Sequence, residues 1–323
     1  MENPGLIYIV SRGHSGSTIL ELALNRHPDI AAMGELNLLP LQVYRNETTR
    51  WIGKCSCGER PFDCEVWSDV IQTAIPNPDS FLRDPLNFIL SDTGIEEESK
   101  QPFDLFRLRI RRGFHWALAL SANTLMDLAN YRQRVARRDR IVKAYAERRG
   151  GVSWIVDSSK DPLQMFDLAR YSSLKVRVIF LTRDVRGVAW SAIRSGRSDA
   201  AAESRSWSML NGRILKLVEK LEPGSWMNLH YEDLCANPDE TLARLFEFLD
   251  LTPETDSPQA ESEGRHTIGG NEIRFKPLES FREDVAWVEN LDGQDLAVIE
   301  KYAGKTARRL GYAMEKEPVG RVP

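Results

Sequence analysis

The sequence has few cysteines, no excess of positive charge and no long apolar run, and each scarcity argues against a class of protein. Its 323 residues include four cysteines, and 43 Lys and Arg stand against 47 Asp and Glu, for a formal net charge of −4. This composition disfavours a disulfide-dense secreted scaffold and a basic nucleic-acid-binding protein. No run approaches the length of a transmembrane helix, and residues 1–5 lack the basic and apolar regions of a signal peptide. We therefore expect a cytoplasmic protein without a transmembrane segment.

The strongest positive signal lies in residues 7–18, IYIVSRGHSGST. An apolar, β-rich run ends in a turn of small residues, and an amphipathic helix follows. Backbone N–H groups at the start of that helix would face an anion, which the helix dipole also favours. The hydroxyl groups add further donors. The candidate ligands are Arg12, Gly13, His14, Ser15, Gly16, Ser17 and Thr18.

This loop differs from a nucleoside triphosphate loop of the G-x-x-x-x-G-K-[ST] type. Gly13 and Gly16 are three residues apart, and no lysine precedes Ser17 or Thr18. The lysine that reaches the β- and γ-phosphates is therefore absent. The pattern suits a single phosphate group better than a triphosphate with Mg²⁺, and an ordinary βα turn is the alternative interpretation.

A second candidate phosphate motif follows the apolar run 176–182. Arg183 stands at the carboxyl end of this predicted strand, where open α/β sheets bind ligands. Ser191 follows eight residues later, about two helical turns, so both side chains can face one phosphate. A salt bridge between Arg183 and Asp184 is the purely structural alternative.

These two motifs, in this order and spacing, resemble the sulfotransferases that use 3′-phosphoadenosine-5′-phosphosulfate (PAPS). Residues 14–18 match the family's 5′-phosphosulfate loop, and Arg183 with Ser191 matches its 3′-phosphate motif. Four further segments fit, namely residues 22–33, 34–36, 157–162 and 230–238. The motifs are most similar to the tyrosylprotein, carbohydrate-type and bacterial branches. The resemblance covers most of the chain except roughly residues 40–150.

The resemblance implies sulfonate transfer from PAPS to a hydroxyl group of a small molecule, lipid, glycan or peptide. The product is adenosine 3′,5′-bisphosphate (PAP), and no metal is expected. Glu35 is the implied base, and Lys160 and His14 would stabilise the transferring sulfonate. His14 replaces the family's usual Lys or Arg, which makes this role sensitive to pH. Arg12 or Lys160 could supply the charge instead, or His14 could act only as a neutral N–H donor.

A Gly-rich basic loop at residues 265–276 is a third candidate phosphate element. Sulfotransferases cover the nucleotide with a late loop, so the resemblance assigns Arg274 and Lys276 to the 3′-phosphate. Arg265 and His266 would line the same site. A surface loop without a ligand is the alternative.

Three cysteines cluster at Cys55, Cys57 and Cys64, and Cys235 stands apart. Their spacing departs from the common C-x₂₋₄-C pattern of zinc sites, and no second pair is present. We expect reduced thiols in a tight loop, with metal binding and a disulfide as the alternatives.

The predicted fold is α/β, with three layers, a central and mainly parallel sheet, and the P-loop-like architecture of sulfotransferases. Residues 1–323 form one predicted domain, with a helical or lid-like insertion at about 40–150. Its arginine-rich part, including Arg132, Arg137 and Arg138, is typical of a solvated helix face. A lid that attracts an anionic acceptor, or the surface of a carrier protein, is the functional alternative. Predicted strands are 6–11, 152–157, 176–182 and 226–230. Predicted helices are 17–26, 105–149 (broken), 162–170, 185–195, 200–221, 238–249 and 293–309.

Two alternative functions stay open from the sequence. A small-molecule or nucleoside kinase of related fold would need ATP and Mg²⁺, against which the missing lysine counts. A non-catalytic relative would bind PAPS or PAP without turnover, and the substitution at His14 favours it. A homodimer also stays open.

Overall fold

A five-stranded parallel sheet forms the centre of the computed structural model, which describes residues 3–44, 53–83, 129–253, 264–278 and 281–314. The strands are β1 Gly5–Ser11, β2 Ile30–Gly34, β3 Trp154–Asp157, β4 Val176–Thr182 and β5 Trp226–His230. Their order is β2-β3-β1-β4-β5, and every pairing is parallel. The prediction of a mainly parallel sheet is therefore confirmed.

Helices cover both faces of this sheet. They are α1 Ser17–Leu24, α2 Leu39–Tyr44, α3 Glu65–Ala74, α4 Pro78–Arg83, α5 Ala129–Arg148, α6 Pro162–Tyr171, α7 Val185–Arg194, α8 Ala200–Val218, α9 Tyr231–Ala236, α10 Pro238–Phe248, α11 Trp287–Asn290 and α12 Gly293–Arg309. Short 3₁₀ helices span Leu36–Leu38 and Glu272–Phe275. Aspartates cap α6, α7, α8 and α12 by accepting hydrogen bonds from N–H groups of the first turn.

The side chains of β1 show why the fold has three layers. Leu6, Tyr8 and Val10 belong to one buried cluster, and Ile7 and Ile9 belong to the other. Alternate side chains of a strand point to opposite faces, so an apolar run this continuous must be covered on both sides. Helices α1, α9 and α10 contribute to one cluster, and the remaining helices contribute to the other. The predicted three-layer α/β class is confirmed.

Strand β2 was not predicted, and it forms an edge of the sheet beside β3. Its residues, IAAMG, are short and rich in alanine, so their β propensity is weak. The strand is specified by tertiary packing, because all five residues are buried. It places Gly34 and the following Glu35 at the same end of the sheet as the termini of β1, β3 and β4.

Between β2 and β3 the described parts of the chain are mostly helical. Helix α5 confirms the end of the broken helix predicted at 105–149, and residues 105–128 lie outside the described part. The single domain with an insertion at about 40–150 stays a prediction. Within the described residues, no helix has both the length and the apolar character needed to cross a membrane.

Candidate functional site

Four neighbouring strands deliver the predicted site residues to one edge of the sheet. The loop 12–16 follows β1, Glu35 follows β2, Lys160 follows β3, and Arg183 follows β4 directly or within three residues. Parallel sheets bind ligands outside the carboxyl ends of their strands, where the strand order changes direction. In this sheet β1 lies between β3 and β4. The fold thus brings together residues that lie far apart in the sequence.

The loop after β1 has the form of an anion-binding turn. Gly16 is the N-cap of α1 and has φ 88°, a left-handed conformation. A Cβ atom at this position would lie 2.3 Å from the Tyr231 ring, so no other residue fits without movement. Gly16 also offers no side chain to cap α1. The first N–H groups of the helix therefore depend on partners other than an N-cap side chain, as at helix termini that bind anions.

His14 lies in this loop, close to two arginines. Arg183 donates from Nη1 to the His14 carbonyl oxygen at 3.2 Å, and Arg197 Nη1 contacts His14 Nε2. Burial, and then the charges of Arg197, Arg12 and Lys160, lower the pKa of His14 from its ordinary value of 6.5. This shift favours the neutral ring in the free protein, and the fixed cations beside it are arginines and a lysine.

Arg197 was missed by the sequence analysis. It follows a turn at Gly196, which has φ 65°, and Arg197 Nε donates to Ser195 Oγ at 2.7 Å. Its Nη2 also lies 3.4 Å from the carbonyl oxygen of Ser191, so the side chain folds back over the end of α7. The only sequence signal was its position six residues after Ser191. The structure thereby joins the two predicted phosphate motifs through Arg183 and Arg197.

Arg12 has a partner within the protein. Its Nε and Nη2 donate to Glu203 Oε1 at 3.0 and 2.5 Å, and Glu203 is a buried residue of α8. This ion pair fixes the start of the loop against α8. The prediction that Arg12 binds the nucleotide stays a prediction.

Glu35 and Lys160 form an ion pair at the centre of the site. Lys160 Nζ lies 2.5 Å from Glu35 Oε1, and the two side chains are 18% and 15% exposed. Lys160 has φ 64°, one of three positive φ values among the non-glycine residues described, and His14 has another. A left-handed conformation costs about 1–2 kcal/mol for an L-residue with a side chain. Such strain is concentrated at functional sites, because packing elsewhere offsets it.

The turn that carries Lys160 is held by a buried ion pair behind it. Arg138 Nε donates to Asp157 Oδ2 at 2.9 Å, both side chains are 0% exposed, and Arg138 Nη2 donates to Ser159 Oγ at 2.8 Å. The interpretation of Arg138 as part of a solvated helix face is therefore wrong. Asp157, at the end of β3, provides the buried counter-charge that brings this arginine of α5 into the core.

Glu21 is a buried carboxyl group beside the same turn. It lies on α1, is 3% exposed, and its Oε2 accepts a hydrogen bond from Ser158 Oγ at 2.6 Å. Burial raises the pKa of Glu21 to about 7. Its charge at neutral pH therefore depends on small changes around it.

The loop 264–278 joins the site by extending the pairing of β2. Ile268 N donates to the Met33 carbonyl oxygen at 3.1 Å, and Glu35 N donates to the Ile268 carbonyl oxygen at 2.7 Å. Gly34 makes this approach possible, since it has φ 85° and a Cβ atom there would lie 2.0 Å from the Ile268 oxygen. The loop is thus hydrogen-bonded to the backbone of the predicted base.

Arg274 and Lys276, assigned to the 3′-phosphate, differ in exposure. Arg274 is 2% exposed and donates to the carbonyl oxygens of Gly269 and Lys54, the latter at 2.8 Å. In this arrangement it cross-links the loop to the chain before Cys55. Lys276 is exposed. The assignment of both to the phosphate stays a prediction.

The ring of His266 lies against two of the clustered cysteines. Its Nδ1 atom lies 3.1 Å from Cys64 Sγ and 3.9 Å from Cys55 Sγ. No local pattern predicts this contact, because 202 residues separate His266 from Cys64. The three clustered cysteines therefore have a fourth metal-ligating residue beside them.

The chain is similar to a known sequence family and to several solved structures. A family model described as the sulfotransferase family matches residues 83–256. Sulfotransferase STF1 from Mycobacterium tuberculosis H37Rv is 14% identical with a TM-score of 0.51, over 94% of this chain and 77% of that chain. This likeness supports the shared α/β fold.

Two further solved structures are similar over nearly the whole chain. Sulfotransferase STF9 from Mycobacterium avium is 12% identical, with a TM-score of 0.48 over 96% of this chain and 77% of that one. The sulfotransferase domain from the curacin biosynthetic pathway is 18% identical, with a TM-score of 0.47 over 98% and 100%. No curated protein sequence matches the chain.

Proposed function

The chain belongs to the sulfotransferase family, and on this premise we propose that it transfers a sulfonate group from PAPS to a hydroxyl acceptor. The observation that carries the proposal is the meeting of the anion loop, Arg183 and the Glu35–Lys160 pair at one edge of the sheet. PAPS supplies the activated sulfonate, and the remaining chemistry falls to the residues of this chain.

The donor set at this edge fits a ligand with separated anionic groups. We assign the 5′-phosphosulfate to residues 13–18 and Lys160, where backbone N–H groups, hydroxyls and an ammonium converge. We assign the 3′-phosphate to Arg183 and Ser191, with Arg197 as an added ligand. Arg183 already touches the loop at His14, so the two regions are adjacent. Guanidinium groups suit phosphate because they can donate two parallel hydrogen bonds.

Glu35 is the proposed base. An acceptor hydroxyl loses its proton to the Glu35 carboxylate while its oxygen forms a bond to sulfur. The bond between sulfur and the bridging oxygen of the donor breaks, and PAP leaves with that electron pair. Lys160 has three N–H donors, so one can hold Glu35 while another stabilises charge on the sulfonate or on the bridging oxygen. A positioned carboxylate base of this kind contributes about 10²–10⁴-fold to the rate.

His14 has a narrower role in this proposal than the family's basic residue. Because the pKa of His14 is lowered in the free protein, its ring approaches the ligand as a neutral N–H donor. An arriving anion favours the protonated ring and would raise that pKa. Lys160 and Arg197 supply the fixed charge that a lysine at position 14 would otherwise provide.

The test is sulfonate transfer from ³⁵S-labelled PAPS to a panel of phenols, sugars, hydroxylated lipids and tyrosine peptides, without added metal. We expect labelled product from at least one class, and we expect Glu35→Gln to lower turnover by about 10²–10⁴-fold while PAP still binds. Turnover unchanged in Glu35→Gln would contradict the assignment of the base. Phosphoryl transfer from ATP with Mg²⁺ would instead favour a kinase.

A further inference from the structure

Four side chains of types that ligate metals lie close together, and one of them belongs to the loop 264–278. They are Cys55, Cys57, Cys64 and His266, and their sulfur and ring nitrogen atoms all lie within 4.8 Å of one another. Cys55, Cys64 and His266 are buried, whereas Cys57 is exposed. All four cysteines of the chain are free thiols in this structure. The proposed transfer reaction uses none of these four groups.

The distances match the edges of a tetrahedral metal site. Cys55 Sγ and Cys64 Sγ are 3.7 Å apart, and His266 Nδ1 lies 3.1 Å from Cys64 Sγ and 3.9 Å from Cys55 Sγ. Bonds of about 2.3 Å to sulfur and about 2.0 Å to nitrogen place tetrahedral ligand atoms about 3.8 Å (sulfur to sulfur) and about 3.5 Å (sulfur to nitrogen) apart. An ion would therefore fit among Cys55, Cys64 and His266 with shifts of only a few tenths of an ångström. Cys57 Sγ lies within 4.8 Å of the other three ligand atoms and would complete the site by moving closer to the ion.

We propose that Cys55, Cys57, Cys64 and His266 bind one Zn²⁺ ion in a closed, structural Cys₃His site. Thiolate and imidazole ligands in a tetrahedral arrangement bind zinc in preference to magnesium or calcium. The protein supplies all four positions, so no open position is left for water or substrate. A site of this kind stabilises structure and does not activate a nucleophile.

The backbone around the four ligands is already organised to present them. Cys55 N donates to the Glu59 carbonyl oxygen at 2.7 Å, and Gly58 N donates to the Cys55 carbonyl oxygen at 2.9 Å, which folds residues 55–59 into a tight turn. Gly58 has φ 98°, a conformation that favours glycine. Cys64 is the N-cap of α3. Three ligands thus come from one compact turn and the helix that follows it.

His266 is held against that turn from two sides. Its carbonyl oxygen accepts hydrogen bonds from Trp67 Nε1 at 2.7 Å and from Tyr145 Oη at 3.1 Å. Its neighbour Thr267 pairs with Ser56, because Ser56 N donates to the Thr267 carbonyl oxygen and Thr267 N donates to Ser56 Oγ, each at 2.9 Å. These contacts fix the position of the fourth ligand before any ion binds, which lowers the entropic cost of coordination.

An ion at this position would link two segments of the chain close to the proposed base. His266 lies two residues before Ile268, whose carbonyl oxygen accepts from Glu35 N at 2.7 Å. The ion would fasten the loop 264–278 to the turn 53–64, and through Ile268 to the backbone of the proposed base. It would cross-link two segments whose ligands, Cys64 and His266, are 202 residues apart in the sequence.

The experiment is metal analysis of the full chain, produced in zinc-supplemented medium and purified without chelators. We expect about one zinc per chain by mass spectrometry of the metals, and Co²⁺ exchange should give the absorption of a tetrahedral thiolate complex. Cys57→Ser and Cys64→Ser should lose at least ten-fold in zinc affinity, measured by competition with a chromophoric chelator. Cys235→Ser is the matched control, since Cys235 lies outside the cluster, and it should keep the zinc.

Several results would overturn the proposal. One is folded wild-type protein that binds less than a tenth of an equivalent of zinc. Another is a Cys57→Ser variant that keeps the wild-type affinity for zinc. A disulfide between two of the three clustered cysteines in the isolated protein would also overturn the proposal. Cys57 is exposed, so its variant remains informative if Cys64→Ser does not fold. The zinc content does not depend on sulfonate transfer, so either proposal can fail alone.

Discussion

Lys160 Nζ lies 2.5 Å from Glu35 Oε1, and this ion pair joins the ends of two neighbouring strands, β2 and β3. Its members are 125 residues apart in the sequence. The lysine adopts a left-handed backbone conformation to make the contact, with φ 64°. The pair links the proposed proton acceptor to the cation that we propose faces the transferred group.

Two substitutions of Lys160 should separate the catalytic role of its side chain from the strain of its backbone. We expect Lys160→Ala to lower kcat by about 10²-fold or more, because a fixed charge at the reacting group is lost. Lys160→Gly should be equally inactive, yet its free energy of unfolding should exceed that of Lys160→Ala by about 1 kcal/mol, since glycine adopts positive φ without strain. Steady-state kinetics and urea unfolding of both variants check this.

The comparison between the two variants isolates the backbone effect, because both lack the ammonium group. Equal unfolding free energies would show that position 160 is not strained. Wild-type kcat in either variant would remove Lys160 from the proposed mechanism.

The pKa of His14 should respond to Arg197. Burial, and then the neighbouring charge of Arg197, lower the pKa of His14 below 6.5. Arg197→Ala removes one of these causes, so the pKa should rise toward its ordinary value. An NMR titration of the five histidines, with His14→Gln to assign the signal, measures the shift. Arg194→Ala is the matched control, because Arg194 is an exposed arginine at the end of α7, three residues before Arg197, and it pairs with Asp284.

A titration curve of His14 that is identical in wild type and Arg197→Ala would contradict the contact between these residues. An equal shift in Arg194→Ala would point to a general charge effect instead.

Arg138 should be among the residues on which stability depends most. Its ion pair with Asp157 has no exposure, so Arg138→Ala leaves a buried carboxylate without its partner. We expect a loss of about 3–5 kcal/mol in the free energy of unfolding, as for other broken buried pairs. Arg309→Ala breaks the exposed pair with Glu219 and should cost about 0–1 kcal/mol. Urea unfolding measures both, and similar midpoints for the two variants would contradict the account.

Glu21 should make the protein less stable as the pH rises toward neutral. Burial raises the pKa of Glu21 from 4.5 to about 7, so the folded state holds more protons than the unfolded state between these values. The resulting stabilisation is complete below the unfolded pKa and is lost as the pH rises through about 7. At about 1.4 kcal/mol per pKa unit, the contribution is on the order of 3 kcal/mol.

Glu21→Gln removes this dependence while keeping an oxygen that accepts from Ser158. The difference in unfolding free energy between about pH 5 and about pH 8 should therefore shrink in the variant. Burial also raises the pKa of Glu232 to about 7. Glu232→Gln is therefore a matched variant that should remove a second part of the pH dependence of the unfolding free energy. A pH dependence equal to wild type in Glu21→Gln would show that its carboxyl group is ionised throughout.

Much of the fold and part of the site were predictable from the sequence. Strands β4 and β5 have the predicted bounds. The run of β4 is β-branched and apolar, and the run of β5 is flanked by clear turns. The loop after β1 and Arg183 were recognisable because anion loops and strand-end arginines are local patterns. The ends of parallel strands must share one edge, so these local patterns also indicated which residues would meet.

The rest depended on contacts that no local pattern encodes. Strand β2 is too short and alanine-rich to be distinguished from a turn, and burial beside β3 specifies it. Arg138 looks solvated within its basic helix, and only Asp157, on another element, shows that it is buried. Arg197 and His266 contact partners that are distant in the sequence. Arg197 is 183 residues from His14, and His266 is 202 residues from Cys64.

The most direct test of the central claim is calorimetry of the purified protein with PAP without added metal, and separately with ATP and Mg²⁺. We predict that PAP binds and that Arg183→Ala weakens it about 10–100-fold, the loss expected for charge-assisted hydrogen bonds of about 1.5–3 kcal/mol. Arg309→Ala should bind PAP as the wild type does. Binding of ATP with Mg²⁺ and no response to PAP would contradict the assignment of this site to the PAPS nucleotide.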